Sequence, residues 1–382
     1  YNAGTAGRVI VTTGAGSEIT GSNDGIDVRD FGSGSTEIIA NGKVTGTLGD
    51  GIVAHNTPGG GNLTITTGAG SEIRGGDRGI EAQNFGLGSD LSVTVDGKVD
   101  GKDGIYASNS QFSRNLTVTT GASSEIEAAS RGIRAKNDGT GDLLIIAGGS
   151  ITTQTGTGIS ASNSENSNNL TIITDAGSEI LAKMDEDYNG GSAISARNLG
   201  HGYIDITVNG DLTSERRHGI YAYNSMYSSG DLKITVGAES TVRADYNGID
   251  AGNYGTGNLA IAVDGTVISE YGLAGVVAFN RDEGGDLTIV TGATSAIIGQ
   301  NRGIMAKQYG LGDLEIVANG EVTGTDFGSG IYSYNVGEGE TRITIGATGL
   351  AQGARAGIEA GSSDDQAITI INNGTVRHID GL

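Results

Sequence analysis

Residues 104–109 read Gly-Ile-Tyr-Ala-Ser-Asn, and versions of this hexapeptide recur thirteen times along the chain. Each version has a small residue, then Ile or Val, a variable residue, usually Ala, another variable residue and usually Asn. The spacing is nearly constant, apart from one longer step between Ile159 and Ile194. A fixed period of roughly 27 residues indicates one supersecondary unit stacked on copies of itself. The apolar second positions are Ile26, Ile52, Ile80, Ile105, Ile133, Ile159, Ile194, Ile220, Ile249, Val276, Ile304, Ile331 and Ile358.

Each period contains three short runs in which apolar and polar residues alternate, as they do in strands with one buried face. In the period 79–104, the first run contains Ile80 and Ala82, the second is 91–95, and the third contains Val99. Parallel crossovers are right-handed in about 98% of cases. The pattern therefore predicts an all-β fold, a right-handed parallel β-helix with three short strands per coil and about 14 coils.

Two kinds of period alternate, so the true repeat is two coils, or roughly 54 residues, stacked on copies of itself. One kind resembles Thr-Thr-Gly-Ala-Gly-Ser-Glu-Ile, residues 12–19, between its second and third runs. The other has a short turn, which we expect to need a positive φ at Gly. We predict a single β-helix domain over 1–382, with about eight extra residues near 182–192 projecting as a surface loop. The short turns are Asn41-Gly42, Asp96-Gly97, Asn209-Gly210, Asp264-Gly265 and Asn319-Gly320.

The last position of the hexapeptide predicts a ladder of Asn side chains at one corner of the coils. Stacked amides bond one another and the backbone groups of turns that would otherwise be buried without partners. We interpret this ladder as structural, interrupted by Asp30, Gln308 and Ser362. Its members are Asn56, Asn84, Asn109, Asn137, Asn163, Asn198, Asn224, Asn253, Asn280 and Asn335.

The composition narrows the possible functions. The formal net charge of −22 disfavours nucleic acids, polyanions and anionic membrane surfaces as partners. There is no cysteine, and hence neither a disulfide nor a thiolate metal site. No apolar run of about 18 residues occurs, so we expect no membrane insertion of this segment.

We predict no catalytic, cofactor or metal site. The four histidines lie in different coils at different offsets, and no zinc-protease or nucleophile-elbow motif is present. Polysaccharide-cleaving enzymes need converging carboxylates, whereas the outward carboxylates Asp27, Glu81, Asp250 and Glu359 lie two coils or more apart. The acidic run 185–187 is interpreted as a solvated loop, with weak calcium binding as the alternative.

The outward positions of the repeated strand are candidates for partner binding. Tyrosine and arginine are enriched in protein-binding hot spots, and exposed aromatic patches commonly mark interaction sites. The alternative is that these aromatic side chains only pack against neighbouring coils. The candidates are Tyr106, Tyr221, Tyr223, Phe279, Tyr332, Tyr334 and Arg197, with Phe112, Met226 and Tyr227 in the loops that follow.

Gly-Ile-x-Ala-x-Asn alternating with Asp/Asn-Leu-x-Ile, without Cys and with an acidic balance, resembles autotransporter (type V secretion) passenger domains. In particular it looks like the passengers of Bartonella-type and related alphaproteobacteria. The resemblance implies export through a C-terminal translocator barrel absent from this segment, and a place at the bacterial cell surface or outside the cell. It also implies adhesion to host cells, or signalling through a host receptor of the growth-factor type. The serine-protease module of some passengers has no counterpart here.

The resulting expectation is a secreted or surface-exposed virulence factor, not an enzyme, that binds a host cell-surface protein. Two alternatives remain open at this stage. One is a β-helical enzyme acting on polysaccharide, and the other is a structural stalk for a head domain that lies elsewhere.

Overall fold

The computed structural model describes residues 7–363 and 366–379, and these residues form strands and turns without a helix. Parallel strands stack as a β-solenoid of about 14 turns, which confirms the predicted architecture. Contacts divide the chain into two compact units. Unit 1 comprises Tyr1–Gly190 with Leu199–His201, and unit 2 comprises Gly191–Asn198 with Gly202–Leu382. The single domain over 1–382 stays a prediction.

The strands of unit 1 are β1 (Val9–Thr13), β2 (Glu18–Gly21), β3 (Ile26–Asp30), β4 (Thr36–Ala40), β5 (Lys43–Gly46), β6 (Ile52–Asn56), β7 (Leu63–Thr67), β8 (Glu72–Gly75), β9 (Arg78–Asn84), β10 (Leu91–Val95), β11 (Lys98–Asn109), β12 (Leu116–Thr120), β13 (Glu125–Asn137), β14 (Leu143–Ala147), β15 (Ser150–Thr153), β16 (Ile159–Asn163), β17 (Leu170–Thr174) and β18 (Glu179–Ala182).

The strands of unit 2 are β19 (Ile194–Asn198), β20 (Ile204–Val208), β21 (Asp211–Ser214), β22 (Ile220–Asn224), β23 (Leu232–Val236), β24 (Thr241–Ala244), β25 (Ile249–Asn253), β26 (Leu259–Val263), β27 (Thr266–Ser269), β28 (Ala274–Asn280), β29 (Leu287–Thr291), β30 (Ala296–Gly299), β31 (Arg302–Gln308), β32 (Leu314–Ala318), β33 (Glu321–Gly324), β34 (Ser329–Asn335), β35 (Thr341–Ile345), β36 (Leu350–Gly353), β37 (Ala356–Ser362), β38 (Ile368–Asn372) and β39 (Thr375–His378).

Each turn contributes one strand to each of three parallel sheets. The motif sheet contains the repeated hexapeptides, the second sheet contains strands such as β10 and β12, and the third sheet leads back to the next hexapeptide. In β11 and β13 the third-sheet and motif-sheet segments form one continuous strand. Among the described residues, each unit has seven strands of the second sheet.

Residues at the same offset stack directly on one another. Ile105 on β11 pairs with Ile80 on β9 and with Ile133 on β13. All three isoleucines are fully buried, as are Leu116 in the second sheet and Val99 in the third. Because alternate side chains of a strand point to opposite faces, these columns of Ile, Leu, Val and Ala fill the narrow interior.

Connections of two and of four residues alternate between the second and third sheets. Pairs such as Asn41-Gly42 and Asp96-Gly97 occupy the two-residue connections. The prediction of a positive φ is wrong for Gly42, Gly97, Gly265 and Gly320. A Cβ at Gly42 would instead lie 2.4 Å from the Ser17 carbonyl oxygen on the preceding turn. Glycine is therefore needed at these corners for the close approach of neighbouring turns.

All ten predicted ladder residues are at most 2% exposed, and hydrogen bonds between ladder side chains join Asn84, Asn109 and Asn137 as well as Asn253 and Asn280. The Asn84 amide donates to Asn109 Oδ1 at 3.0 Å, and the Asn109 amide donates to Asn137 Oδ1 at 3.2 Å and to the Asn115 carbonyl at 2.8 Å. Two residues that the sequence places as interruptions are also buried at ladder positions. Asp30 accepts hydrogen bonds from the Gly32 N–H and the Thr36 hydroxyl, and the longer Gln308 amide donates to Gly285 and Gly312 carbonyls.

The insertion contains a small loop held by its own hydrogen bonds. Met184 and Gly190 form an antiparallel bridge, and Tyr188 at the tip is 69% exposed with a φ of 61°. The Asp185 carboxylate accepts hydrogen bonds from the side chain and N–H of Asn189, which lower its pKa, and from the Asp187 N–H. Donors of the loop itself therefore occupy the carboxylate considered for calcium.

Candidate functional site

The outer face of the motif sheet in unit 2 carries five of the predicted partner-binding aromatic residues. They alternate with the buried Ile, Ala and Asn of the hexapeptide, and each is partly exposed. The five side chains are those of Tyr221 and Tyr223 on β22, Phe279 on β28, and Tyr332 and Tyr334 on β34.

Two of these aromatic residues belong to a larger aromatic cluster, which consists of Tyr223, Tyr254, Phe279, Arg281 and Tyr309. The ring centroids of Tyr223 and Tyr254 are 4.8 Å apart, and Tyr254 meets Phe279 edge to face at 5.6 Å. The Arg281 guanidinium lies 5.1 Å from the Tyr254 centroid, 5.6 Å from that of Phe279 and 5.3 Å from that of Tyr309. Tilted and edge-on rings at these separations attract one another, and the cation is attracted to all three rings that it contacts.

Two features of the fold position the aromatic cluster. The N–H groups of Tyr254, Arg281 and Tyr309 bond to ladder carbonyls one turn earlier, at 2.9 to 3.1 Å. Gly252 supplies the space for the rings, because a Cβ there would lie 2.6 Å from Phe279 Cε2 and 3.1 Å from Tyr254 Cε2. Burial and the neighbouring tyrosines raise the pKa of Tyr223, so its phenol is neutral at physiological pH.

Sequence reasoning missed Tyr254, Arg281 and Tyr309. Each directly follows a ladder residue, at an offset that is variable along the chain. The signal was the succession of aromatic, cationic and aromatic residues at this one offset in three consecutive periods.

Tyr221 lies in a second group of side chains. The Arg197 guanidinium is 5.5 Å from its ring centroid, and the His218 ring is also 5.5 Å away. His218 Nδ1 lies 3.5 Å from the Asp250 carboxylate, and Tyr246 meets the His218 ring edge to face at 5.1 Å. Burial lowers the pKa of His218 and raises that of Asp250, in each case against the attraction of the partner.

Tyr332 and Tyr334, the other two of the five, lie further along the same face on β34. The Arg302 guanidinium is 4.6 Å from the Tyr332 ring centroid. Tyr334 packs against Gly361 of the next turn, where a Cβ would lie 3.1 Å from the ring. Met226 and Tyr227, in the loop after β22, are 68% and 56% exposed.

Tyr106 lies in unit 1, between two guanidinium groups. Arg78 is 4.9 Å and Arg134 is 5.1 Å from its ring centroid. Arg78 also donates to Glu81 at 2.6 Å and lies 3.7 Å from Asp50. Tyr106 is therefore part of a charged surface rather than of the aromatic cluster.

The structure brings Glu81 close to Asp50 of the preceding turn, a carboxylate outside the set of outward carboxylates predicted from the sequence. Burial, a hydrogen bond and repulsion from Glu81 raise the pKa of Asp50 to about 7. Although burial opposes it, hydrogen bonds from His55 and Asp50 and attraction by Arg78 lower the pKa of Glu81 to about 2. Of the two carboxyl groups, Asp50 is therefore the one that holds a proton at weakly acidic pH.

Sequence reasoning did not consider Asp50, because it precedes the hexapeptide. In unit 1 this offset is occupied by Asp24, Asp50, Arg78, Asp103 and Arg131 in successive turns. Their carboxylates accept the backbone N–H of the next turn, as Asp50 Oδ1 does from Arg78 at 2.8 Å. The recurrence of Asp or Arg at this offset in five successive turns was the available signal.

Other kinds of site have less support. Within 7–363 and 366–379, no three His, Asp or Glu residues are grouped so that they could hold a metal ion. The same residues include no helix long and apolar enough to cross a bilayer. No protein-family model matches the chain, and the searches found no similar curated protein or solved structure.

Proposed function

We propose that the chain is a binding protein whose outer motif-sheet face in unit 2 contacts a host cell-surface protein. The observation that carries the proposal is the aromatic cluster, in which the exposed Arg281 lies over the rings of two tyrosines and a phenylalanine and a third tyrosine, Tyr223, packs against Tyr254. Tyrosine and arginine dominate protein-binding hot spots because they bury a large area and keep a polar group for hydrogen bonding. The contacts within the cluster fix its rings before a partner arrives, which lowers the entropic cost of binding.

As part of the same proposal, the chain acts as the passenger of an autotransporter, at the bacterial surface or outside the cell. The support is the repeat pattern together with the β-solenoid that it forms. In this role the chain acts as an adhesin or as a ligand of a host receptor. The translocator barrel is then its partner during export.

The test is saturable binding of the purified, labelled chain to a panel of host cells. Replacing Tyr221, Tyr223, Tyr332 and Tyr334 by Ser, and separately replacing Arg281 by Ala, should each weaken binding at least tenfold. Hot-spot truncations cost about 2 kcal/mol or more, which corresponds to about thirtyfold in Kd. The matched control is Tyr271→Ser, since Tyr271 is 70% exposed in unit 2 but lies outside the motif sheet.

A second variant tests the geometry of the cluster without removing any of its members. Gly252→Ala forces the Phe279 ring to move, because the new methyl group would lie 2.6 Å from Cε2. We expect weaker cell binding and altered near-ultraviolet circular dichroism of the tyrosines. Unchanged binding of all these variants, with binding of the natural chain intact, would place the contact surface elsewhere.

A second candidate function is the cleavage of a polysaccharide, favoured by the convergence of Asp50 and Glu81. Their pKa values are driven apart to about 7 and about 2, as a general acid and an ionised carboxylate require. Asp50 is only 5% and Glu81 only 8% exposed, however, which leaves little room for a substrate at the carboxyl groups. Release of reducing ends from a glycan panel that is abolished in Asp50→Asn would support this candidate over simple binding.

A further inference from the structure

Unit 1 has a surface groove of about 610 Å³ at the corner that follows β9 and β11. Phe85 and Phe112 form part of its lining, and they are 40% and 51% exposed. The volume lies within the range of small-molecule sites, roughly 300–1,000 Å³. The groove includes neither Asp50 nor Glu81 among its lining residues.

The groove exists because short and long side chains alternate along the motif sheet. Ser108 pairs in register with Gln83 on one side and with Lys136 on the other. The small hydroxymethyl group leaves a depression between its two longer neighbours. Phe85 and Phe112 lie on the corner loops that follow these strands, at the edge of the depression.

Both rings are carried on loops that are fixed by hydrogen bonds. The Phe85 N–H donates to Asn56 Oδ1 at 2.8 Å, and the Phe112 carbonyl accepts from the Gly88 N–H at 2.8 Å. The Phe112 N–H also approaches the Ser110 hydroxyl at 3.4 Å. The backbone that carries each ring is therefore fixed before a ligand arrives, which lowers the entropic cost of binding.

The polar lining is uncharged overall. Lys136 is paired with Asp138 at 2.5 Å, so the one cation of the lining is neutralised by its one anion. Among the described contacts, the side chains of Ser108, Gln111 and Asn166 have no hydrogen-bond partner, which leaves one hydroxyl and two amides for a ligand. The lining residues themselves therefore offer no unpaired cation to an anionic ligand.

The backbone excludes pairing with a peptide strand. β11 is hydrogen-bonded to β9 on one side and to β13 on the other, so the main-chain groups beneath the groove are already used. A peptide binding by strand addition requires a free sheet edge. Recognition must come from ring faces, amides and hydroxyls.

From this combination we propose that the groove binds a neutral oligosaccharide. The C–H face of a pyranose ring is apolar and stacks on an aromatic ring, while its hydroxyl groups pair with amides and hydroxyls. Phe85 and Phe112 provide the stacking faces, and Gln111, Asn166 and Ser108 provide the hydrogen bonds. This site is separate from the protein-binding surface proposed for unit 2.

The test uses the whole purified chain and neutral oligosaccharides of three to five sugars, from the glucose, mannose, galactose and N-acetylglucosamine series. Saturation-transfer NMR detects binding, and titration calorimetry measures Kd. At least one series should bind, and Phe112→Ala and Phe85→Ala should each weaken it at least tenfold. Phe112→Tyr should keep binding within about threefold, because the ring face remains.

The control is Phe327→Ala, which removes a phenylalanine that is 82% exposed in unit 2. The control should leave oligosaccharide binding unchanged, as should the four-tyrosine variant. All variants are first matched for far-ultraviolet circular dichroism and urea midpoint. The proposal is overturned by absence of binding at millimolar concentrations, by binding indifferent to Phe85 and Phe112, or by tighter Phe112-dependent binding of sulfated or uronic-acid oligosaccharides or of peptides.

Discussion

Replacing Asn109 by Ala removes the centre of the ladder in unit 1 and tests what holds neighbouring turns together. The Asn109 side chain donates to the Asn115 carbonyl at 2.8 Å, to the Arg114 carbonyl at 3.3 Å and to Asn137 Oδ1 at 3.2 Å. Its own Oδ1 accepts from Asn84 at 3.0 Å. An amide has two donor hydrogens, so these contacts amount to about three hydrogen bonds.

The expected loss of stability depends on which hydrogen bonds the partners of Asn109 keep after the substitution. The Asn115 carbonyl still accepts from the Leu91 N–H at 2.9 Å, and Asn137 Oδ1 still accepts from the Gly139 N–H at 3.1 Å. Because these partners are not fully stripped, each lost bond costs its net contribution of roughly 0.5–1.5 kcal/mol, not the larger cost of an orphaned group. We therefore expect Asn109→Ala to lower the free energy of unfolding by about 2–4 kcal/mol.

Urea denaturation followed by far-ultraviolet circular dichroism measures this loss. Because solenoids need not unfold in a single step, hydrogen–deuterium exchange of residues 98–120 should accompany it and show faster exchange in β11. The matched control is Ser108→Ala, one residue earlier on the outer face of the same strand, which should change stability by less than about 0.5 kcal/mol.

An isosteric variant distinguishes the effect of losing the Asn109 hydrogen bonds from the effect of losing its side-chain volume. In Asn109→Asp the carboxylate keeps the bond from Asn84 but faces the oxygens of Arg114, Asn115 and Asn137 without a donor. We expect a larger loss than in the Ala variant at pH 7, and partial recovery at pH 4 when the carboxyl is protonated. The role of the ladder would be refuted if both variants lost less than about 0.5 kcal/mol, the lower bound for a single net hydrogen bond. No effect of pH on the stability of the Asp variant would refute it equally.

Two further substitutions test packing and charge in unit 1. Because burial and neighbouring Glu81 raise the pKa of Asp50 to about 7, the folded chain holds a proton that the unfolded chain releases near pH 4. The free energy of unfolding of the natural chain should therefore fall, relative to that of Asp50→Asn, as the pH rises from 4 to 7, by on the order of 1–4 kcal/mol; parallel pH profiles would contradict this. Gly104→Ala places a methyl group 2.5 Å from the Ile126 side chain and should cost at least about 2 kcal/mol, whereas Gly70→Ala, with no atom within 4 Å, should be nearly neutral by urea denaturation.

The sequence predicts the fold because the interior imposes one rule on every turn. Inward positions such as Ile105 and Ala107 stack on residues of the same kind in the turns before and after. A polar residue there would be buried without a partner, so apolar residues must return at a fixed offset. The corner Asn obeys a similar rule, since its amide satisfies buried carbonyls. Period and offset therefore suffice to place the strands.

The candidate sites depend on contacts that this rule does not cover. Asp50 and Glu81 lie in different turns and at different offsets of the repeat, and the Arg78 guanidinium contacts both carboxylates, at 3.7 and 2.6 Å. Similarly, Tyr254 meets Phe279 because Gly252 leaves a space, a fact about shape rather than about period. The sequence also predicts a positive φ for the glycines of the short turns, which is wrong. Glycine is needed there because the adjacent turn lies too close for a Cβ atom, and the period does not reveal that distance.

Residues on the outer face of the motif sheet are free to vary, because the interior does not dictate their identity. A folding role of the aromatic cluster can therefore be distinguished from a binding role. Arg281 is exposed, and cation–π contacts at exposed sites contribute roughly 0.5–1 kcal/mol. If the cluster only packs adjacent turns together, Arg281→Ala will lower stability by about that amount and change nothing else. If it forms a binding surface, the same substitution will weaken cell binding at least tenfold, about 1.4 kcal/mol in binding free energy, with the urea midpoint almost unchanged. Measuring both quantities on one preparation decides between the two, and a loss of stability without a loss of binding would assign the cluster to folding.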